Sequence, residues 1–565
     1  MRATRYRWAA VGDINAFFGL MLDNVAGLIL VVSLLHLNFG FPINFALQSM
    51  IPGTAIGVLL GDLAFFVVAL RLARKSGRES VTAMPLGLDT PSTFGMVFFV
   101  LGPAYLAALP GPSEGLGEPT SAQITAAATS AWQIGVCSIF ISGLIKLVCA
   151  LGSGWVRQLV PRAGLLGSLA AIALVLISFL PLLEIMRYPL VGLVALAVIL
   201  TALVGRVPLP LKLPGAVGGL IVGGSLYGIM NAAGMLGHGE AALFNASDAL
   251  FPTAWMQALS FSWLSALGET INYLPIVIPF ALATVVGGID CTESAAAAGD
   301  EYDTRTVIGV EALATLLASF CGAVIQTTPY IGHPAYKAMG GRAAYTLATA
   351  IAMGLLGVTG LFGYFYDLIP KAAVYPILVF VGLEITAQSF LATPRRHYPA
   401  VAIACIPALA TLAVFFVGQI FGDAQLRQAG IGVAQLGNDE LKTNLASTSL
   451  LASGFIVTSI IWASALAMAI DRRLFAACGF YALAAVCTLF GLMHSPLPNS
   501  PILFPWRVGG LPDSLVLPAE HLPTVLAWVE GYALVAGLMA VWGVYLRASG
   551  QTTSAFEAQA SEGTG

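Results

Sequence analysis

Two short stretches of this chain place ionisable, hydroxylated and helix-breaking residues inside otherwise apolar sequence. Residues 288–294 read Gly-Ile-Asp-Cys-Thr-Glu-Ser, and residues 326–334 read Gln-Thr-Thr-Pro-Tyr-Ile-Gly-His-Pro. Backbone that leaves the helix at membrane depth is tolerated only where protein or a water-filled cavity satisfies its polar groups. Charged side chains at that depth are costly and mark substrate or ion pathways. The two stretches therefore predict a transport site between them.

The composition is that of a membrane protein. Of 565 residues, 58% are hydrophobic and only 9% are charged, whereas soluble domains are about 25% charged. The first apolar run, 17–37, is long enough to span a bilayer and is not followed by a small-residue cleavage site, so it does not indicate a cleavable signal peptide. A net charge of −3 argues against a nucleic-acid partner. The expected partners are the lipid bilayer and a small-molecule substrate.

The cysteines and histidines give no sign of an enzyme. Seven cysteines are scattered singly through apolar segments without zinc or redox spacing, and six histidines form no nucleophile–base or metal pattern. We therefore expect no catalytic residues and no bound metal. The one small ion that the sequence suggests is a coupling proton or sodium ion.

Hydropathy predicts sixteen membrane crossings, of which the third and tenth are too short or too broken for ordinary spans. If the N-terminus is cytoplasmic, all but five of the 25 Lys and Arg residues fall on the cytoplasmic side. The positive-inside rule then places both termini in the cytoplasm, and we expect a bacterial cytoplasmic membrane. The predicted crossings are 14–37, 49–71, 89–109, 128–150, 162–183, 188–205, 214–235, 270–290, 304–324, 330–341, 343–365, 371–391, 398–419, 446–470, 474–494 and 524–546.

Three pairs of similar motifs recur seven crossings apart, so that the partners enter the membrane from opposite sides. An odd offset of this kind indicates an inverted repeat, and paired broken helices at equivalent positions point to the binding site of a secondary transporter. The sequence thus predicts an all-α polytopic membrane protein built as a 7+7 inverted repeat, with two extra C-terminal spans. The motif pairs are 159–163 with 368–372, 54–58 with 306–310, and 84–91 with 328–334.

Prolines predict how the two broken spans run. Pro85 and Pro91 bracket the first break, and Pro329 and Pro334 lie in the second. Each proline removes an amide donor, and the residue before it avoids helical geometry, so an extended piece should precede a half-helix that starts near Thr90 or Ser92. Two half-helix N-termini would then face each other and present free amides and positive dipole ends. Such ends suit an anion, or the acceptors of a planar polar solute.

The predicted site gathers polar residues from both breaks and from the first and eighth spans. Purely structural roles remain open for these residues. Asp89 could be a helix cap, and His333 could be a hydrogen-bonded core histidine. Asp23 and Asn24 could form interhelical hydrogen bonds, and the acidic pair of the eighth span could mark only the cytoplasmic end of that span. The predicted substrate-binding residues are Asp89, Thr90, Thr93, Thr327, Thr328, Tyr330, His333, Asp23 and Asn24, and the ion-coupling candidates are Asp290 and Glu293.

The second half of the chain resembles a known family. Residues 327–328 (Thr-Thr), 330–331 (Tyr-Ile) and 340–342 (Gly-Gly-Arg) resemble the signature of nucleobase permeases of the adenine/guanine/hypoxanthine branch, and 289–292 is similar to that branch's Phe-Asp-Thr-Thr. The resemblance covers roughly 10–470. It implies the fold shared by nucleobase/ascorbate permeases, sulfate permeases and bicarbonate transporters, in which a core domain moves against a gate domain.

The resemblance implies a domain division and a substrate class. The first interpretation is ion-coupled uptake of a purine or pyrimidine nucleobase by alternating access. Because two of the family's carboxylates align with Gly287 and Gly332, transport of a small anion of the sulfate, bicarbonate or carboxylate type is the alternative. A homodimer is compatible with the sequence. The implied domains are a core of 1–153 and 257–366, a gate of 154–256 and 367–473, and an extension of 474–565.

Overall fold

The computed structural model describes most of the chain. The described residues are 6–110, 119–151, 161–210, 213–236, 245–330, 332–422, 426, 431–497, 503–506 and 516–549, with the backbone alone at 290, 297, 422 and 434. Ile331 of the family motif, parts of the predicted external loops 110–127, 236–256, 420–445 and 495–523, and most of the tail from Ala548 lie outside them.

The described chain is helical almost throughout, because long apolar runs can cross a bilayer only with every backbone group bonded inside the segment. The main helices are α1 Gly12–Phe39, α2 Ile43–Ser76, α3 Thr90–Ala108, α4 Ser121–Leu151, α5 Arg162–Arg187, α6 Pro189–Val204, α7 Gly215–Ala232, α8 Leu274–Ala297, α9 Thr304–Phe320, α10 His333–Ala338, α11 Ala344–Val358, α12 Phe362–Leu368, α13 Lys371–Leu391, α14 Arg395–Phe421, α15 Asp439–Ala452, α16 Phe455–Ile470, α17 Leu474–Leu489 and α18 Leu522–Ala548.

Ten helices in the described ranges are long and apolar enough to cross a membrane, and the number is twelve if two bent pairs each count as one span. The bent pairs are α11 with α12, at 89°, and α15 with α16, at 76°. The other four predicted crossings correspond to the shorter helices α6, α9, α10 and α17. The predicted class is confirmed: the protein is an all-α polytopic membrane protein.

Both predicted breaks are present, and they pair with each other. Strand β1, Leu86–Leu88, runs antiparallel to β2, Thr327–Pro329, with Gly87 opposite Thr328. β1 leads directly into α3, and β2 leads after a short turn into α10. The extended pieces that the prolines predict therefore satisfy much of their backbone hydrogen bonding against one another, which resolves the cost of irregular backbone inside a membrane protein.

The chain divides into two compact units, Met1–Val156 with Ile177–Val381, and Arg157–Leu176 with Gly382–Gly565. The first unit contains both strands and is called the strand unit below. The division into core and gate domains stays a prediction.

A close approach of α2 to β2 holds the strand unit together. A Cβ atom at Gly57 of α2 would lie 2.8 Å from the Ala318 side chain of α9 and 3.2 Å from that of Thr327 in β2. A Cβ at Gly53, one turn earlier, would overlap the Cys321 carbonyl. Glycine is required at both positions because any side chain would push α2 away from the break.

The two extra C-terminal helices belong to the second unit and pack around one tyrosine. The hydroxyl of Tyr532, on α18, accepts a 2.8 Å hydrogen bond from Nε1 of Trp462 on α16. It also lies 2.7 Å from Nε2 of His494, in the segment after α17. A buried cluster that includes Ile461 and Ala484 surrounds these groups, so α17 and α18 are an integral part of this unit.

Candidate functional site

Side chains from α1 and α2 hold β1 in place. Oδ1 of Asn24 accepts a 3.0 Å hydrogen bond from the Leu88 amide, and Oδ1 of Asp62 accepts one of 3.0 Å from the Leu86 amide. Both side chains are fully buried. Asn24 therefore positions the strand, which fits the hydrogen-bonding alternative for this residue. The sequence analysis missed Asp62, although a lone carboxylate in the middle of an apolar helix is itself a signal.

Asp89 caps the half-helix α3. Its Oδ2 accepts a 2.9 Å hydrogen bond from the Ser92 amide and lies 3.5 Å from Nε2 of Gln326, while its carbonyl accepts a 2.9 Å bond from the Thr93 hydroxyl. Asp89 and Thr93 are both buried. The carboxylate of the chain itself thus occupies part of the positive end of α3, as the capping alternative allows.

A buried ion pair lies behind β2. Nζ of Lys146, on α4, is 2.8 Å from Oε1 of Glu311, on α9, and donates a 2.9 Å hydrogen bond to the Thr327 carbonyl. Both charged side chains are fully buried. The Thr327 side chain is buried too, with its hydroxyl 3.3 Å from that of Thr315. Sequence reasoning named neither Lys146 nor Glu311 as a site residue, because nothing in a single sequence shows that α4 and α9 meet.

His333 is fully buried and faces the loop between α8 and α9. Its Nε2 lies 3.1 Å from the Thr82 carbonyl and 3.3 Å from Oδ2 of Asp300. Oδ2 of Asp300 also accepts a 3.0 Å hydrogen bond from the Thr82 amide, and its Oδ1 lies 2.7 Å from Nζ of Lys337 on α10. This cluster ties the start of the first break to the second half-helix. The described polar contacts of His333 are all with Thr82 and Asp300 of this cluster.

Asp300 should make the free energy of unfolding of the protein depend on pH in the acidic range. Burial raises the pKa of Asp300, but hydrogen bonds from His333, Lys337 and the Thr82 amide outweigh that effect and lower it overall. A lowered carboxyl pKa contributes stability that is present above the unfolded-state pKa and is lost as pH falls through the folded-state pKa.

We therefore expect Asp300→Asn to lower the stability at neutral pH by about 1–3 kcal/mol, and to reduce the further loss on acidification. Thermal unfolding of the purified protein across a pH series measures both effects. Glu301→Gln, which removes the same charge from an exposed neighbouring position, is the control. Equal acid sensitivity of Asp300→Asn and the wild type would contradict the prediction.

An open space lies beside α8, next to the paired strands. A Cβ atom at Gly287 would meet no other atom within 4 Å. Two turns earlier on the same face, Phe280 packs against Gly95 of α3, and one turn later the Cys291 thiol lies 3.4 Å from the Pro329 carbonyl. We call the open space beside Gly287, on the face of α8 that contacts α3 and β2, the cleft.

Four of the predicted substrate-binding residues keep part of their surface exposed around the break. They are Asp23, Thr90, Thr328 and Tyr330. Asp23 lies near Tyr336 of α10, and Gly19, one turn earlier on α1, faces the ring of that tyrosine. These half-buried groups and the open space at Gly287 define the candidate site.

The two ion-coupling candidates lie on α8. The backbone of Asp290 is helical, and its side chain lies outside the described residues. Glu293 is exposed. Within the described ranges no three His, Cys, Asp or Glu side chains are grouped as a metal site. The coupling role of Asp290 and Glu293 stays a prediction.

Comparisons with known proteins give structural matches only. No family model matches the sequence, and no curated protein matches it. The transmembrane domain of a cyanobacterium bicarbonate transporter, BicA, is 12% identical, with a TM-score of 0.44 over 72% of this chain and 95% of that one. SLC26A9 is 10% identical, with a TM-score of 0.46 over 82% and 65%. The murine SLC26A9 anion transporter in its inward-facing state is 11% identical, with a TM-score of 0.38 over 74% and 69%.

The assignment to the nucleobase permeases is wrong, because the three matched structures named above are a bicarbonate transporter and SLC26A9, an anion transporter. The residues of the motifs on which that assignment rested make structural contacts in this protein. The Thr327 carbonyl holds Lys146, the Gly341 carbonyl accepts a 2.7 Å bond from the Thr82 hydroxyl, and the Arg342 amide donates to Asp13. Motifs with such roles report on the fold and not on the substrate.

Proposed function

We propose that the protein is a secondary transporter that moves a small anion across the membrane by alternating access. The observation that carries the proposal is the pairing of β1 with β2, which starts two half-helices from one place beside the cleft at Gly287. Half-helices that begin at mid-membrane are the elements from which secondary transporters build substrate sites. The predicted core, 1–153 and 257–366, would carry this site past the predicted gate.

Several features of the cleft favour an anion over a neutral solute. The hydroxyls of Thr90 and Thr328 can donate hydrogen bonds to an anion, whereas the charge of Lys146 behind β2 is already paired with Glu311. Gly287 leaves its side of the cleft without a carboxylate. Asp89 opposes an anion, but the amide of Ser92 already holds its charge.

Asp23 supports coupling of transport to a cation. Its half-buried carboxylate lies in the middle of α1, and it makes no hydrogen bond or ion pair to any other described residue. A carboxylate in that position attracts a proton or a sodium ion, which would offset the charge of a co-transported anion. Asp290 and Glu293 are further candidates for the same role.

We expect Thr328→Ala to weaken substrate binding by about 1–3 kcal/mol, because a buried hydrogen bond to the substrate would be lost. Equilibrium binding to the purified protein measures the effect. Thr129→Ala on α4 removes a hydroxyl that bonds only to its own helix, at the Thr125 carbonyl, and serves as the control. Equal losses in the two variants would remove Thr328 from the site.

The charge distribution supports cytoplasmic termini in a bacterial cytoplasmic membrane. Single cysteines at Asn438 and Ser76, both exposed positions, should behave oppositely in a background that lacks the native cysteines. An impermeant thiol reagent added to intact cells should label position 438 and leave position 76 unlabelled. The reverse pattern would invert the orientation.

Ligand-dependent thermal stabilisation tests the substrate class. A ligand at 100 times its Kd stabilises the folded state by about 2.7 kcal/mol. We expect one or more of sulfate, bicarbonate, chloride and small carboxylates to raise the melting temperature, and the Gly287→Asp variant to lose that response. Stabilisation by nucleobases alone would contradict the proposal.

A further inference from the structure

Three buried charged groups of the strand unit lie close together behind the break. Glu311 of α9 pairs with Lys146 of α4, and Asp89, at the start of α3, is an electrostatic neighbour of both. All three side chains are at most 7% exposed. The groups supply two carboxylates and one ammonium, so their formal charges sum to −1 when every group is ionised. The thiol of Cys149 also faces Glu311.

The hydrogen bonds leave one carboxylate oxygen unsatisfied. Nζ of Lys146 is shared between Oε1 of Glu311 and the Thr327 carbonyl. Oε2 of Glu311 is buried and accepts no hydrogen bond from any described residue. The Thr284 hydroxyl lies nearby, but its proton is donated to the Ala281 carbonyl at 2.9 Å. That hydroxyl oxygen can still accept a hydrogen bond.

Asp89 is better supplied with hydrogen-bond donors than Glu311. Its Oδ2 accepts from the Ser92 amide and faces Gln326, whose Oε1 in turn accepts a 2.5 Å hydrogen bond from the Ser142 hydroxyl. The next residue, Thr90, is half-exposed. Asp89 is therefore buried beside a residue that keeps part of its surface exposed.

We propose that Asp89, Lys146 and Glu311 form a buried proton-binding site that holds one exchangeable proton. An unpaired buried charge is far more costly than a neutral carboxyl group. Adding one proton to a carboxylate oxygen forms an O–H bond, breaks no other bond in the protein and brings the net charge of the cluster to zero. On Glu311, the new O–H can donate to the Thr284 hydroxyl.

The site would give the transporter a coupling proton, a role that rests on the proposed function. The proton would enter the cluster from water in the cleft. Occupancy of the site would then change with the side of the membrane to which the cleft opens. Proton binding itself does not depend on the identity of the substrate.

Infrared spectroscopy of the full-length protein in liposomes tests the site directly. A protonated carboxyl group has a C=O stretching band that a carboxylate lacks. In Glu311→Gln, and equally in Asp89→Asn, the remaining carboxylate is balanced by Lys146, so neither variant should need the extra proton. The spectrum of the wild type at neutral pH minus that of either variant should show a positive carboxylic-acid band equivalent to one group.

Glu384→Gln, which removes an exposed glutamate of α13, should leave the band unchanged. If neither Glu311→Gln nor Asp89→Asn gives a carboxylic-acid band in the difference spectrum, the proposal is overturned. Two variants are used so that the test still stands if one of them fails to fold. In proteoliposomes, Glu311→Gln should keep substrate exchange and lose accumulation driven by a pH gradient. Wild-type protein that transports no small anion would count against the proposed function and leave the proton site standing.

Discussion

Replacing Lys146 by methionine should destabilise the protein by about 3–5 kcal/mol, because it leaves the Glu311 carboxylate buried without its partner. It also removes the donor that holds the Thr327 carbonyl and so loosens β2. Thermal unfolding of the purified protein measures the loss. The destabilisation should shrink at low pH, where the unpaired carboxyl groups are protonated.

A second substitution separates the ion pair from simple packing. When Lys146→Met is combined with Glu311→Leu, the charged pair becomes an apolar pair of similar volume, and such replacements are often neutral or stabilising. We expect the double variant to recover most of the stability lost in Lys146→Met, which a double-mutant cycle would quantify. Additive losses would show that the two residues do not act as a pair.

Gly287→Asp should abolish high-affinity binding of the substrate. The new carboxylate would extend from α8 into the cleft, where the structure has room for it. Two like charges about 5 Å apart at an effective dielectric constant near 20 repel by roughly 3 kcal/mol, which corresponds to a loss of more than about 100-fold in affinity. Equilibrium binding of the anion that stabilises the wild type is the measurement.

Gly287→Asn provides the matched comparison, since asparagine has nearly the same shape as aspartate without the charge. We expect it to bind the anion at least tenfold more tightly than Gly287→Asp does. Equal affinities in the two variants would mean that the bound substrate carries no negative charge or that it lies away from Gly287.

The sequence predicted the break well because prolines and glycines act locally. Pro85 and Pro91 allow only an extended piece before α3, and the same argument applies to Pro329 before α10. The cap formed by Asp89 is also a local interaction, with the Ser92 amide three residues away. Fold class and the position of both half-helices could therefore be predicted from short stretches of chain.

The network behind the break could not be predicted in this way. Lys146, Glu311 and Thr327 meet only because α4, α9 and β2 pack together, and no local pattern encodes that contact. His333 was predicted as a site residue from its position in the broken span. Its partner Asp300 lies in the loop between α8 and α9, and no local pattern links the two residues. The family was misassigned for a related reason: residues of the motifs at 327–328 and 340–342 make contacts that stabilise the fold, and such contacts do not identify a substrate.

Counterflow in proteoliposomes tests the central claim most directly. Vesicles containing the purified protein and preloaded with a small anion such as sulfate, bicarbonate or a carboxylate are diluted into medium with a trace of the labelled species. The account predicts transient accumulation of at least one labelled anion and inhibition of that accumulation by the same unlabelled anion outside. Vesicles with Gly287→Asp should show no accumulation. Counterflow of labelled nucleobases without any anion exchange, or anion flux that shows no counterflow and does not saturate, would contradict it.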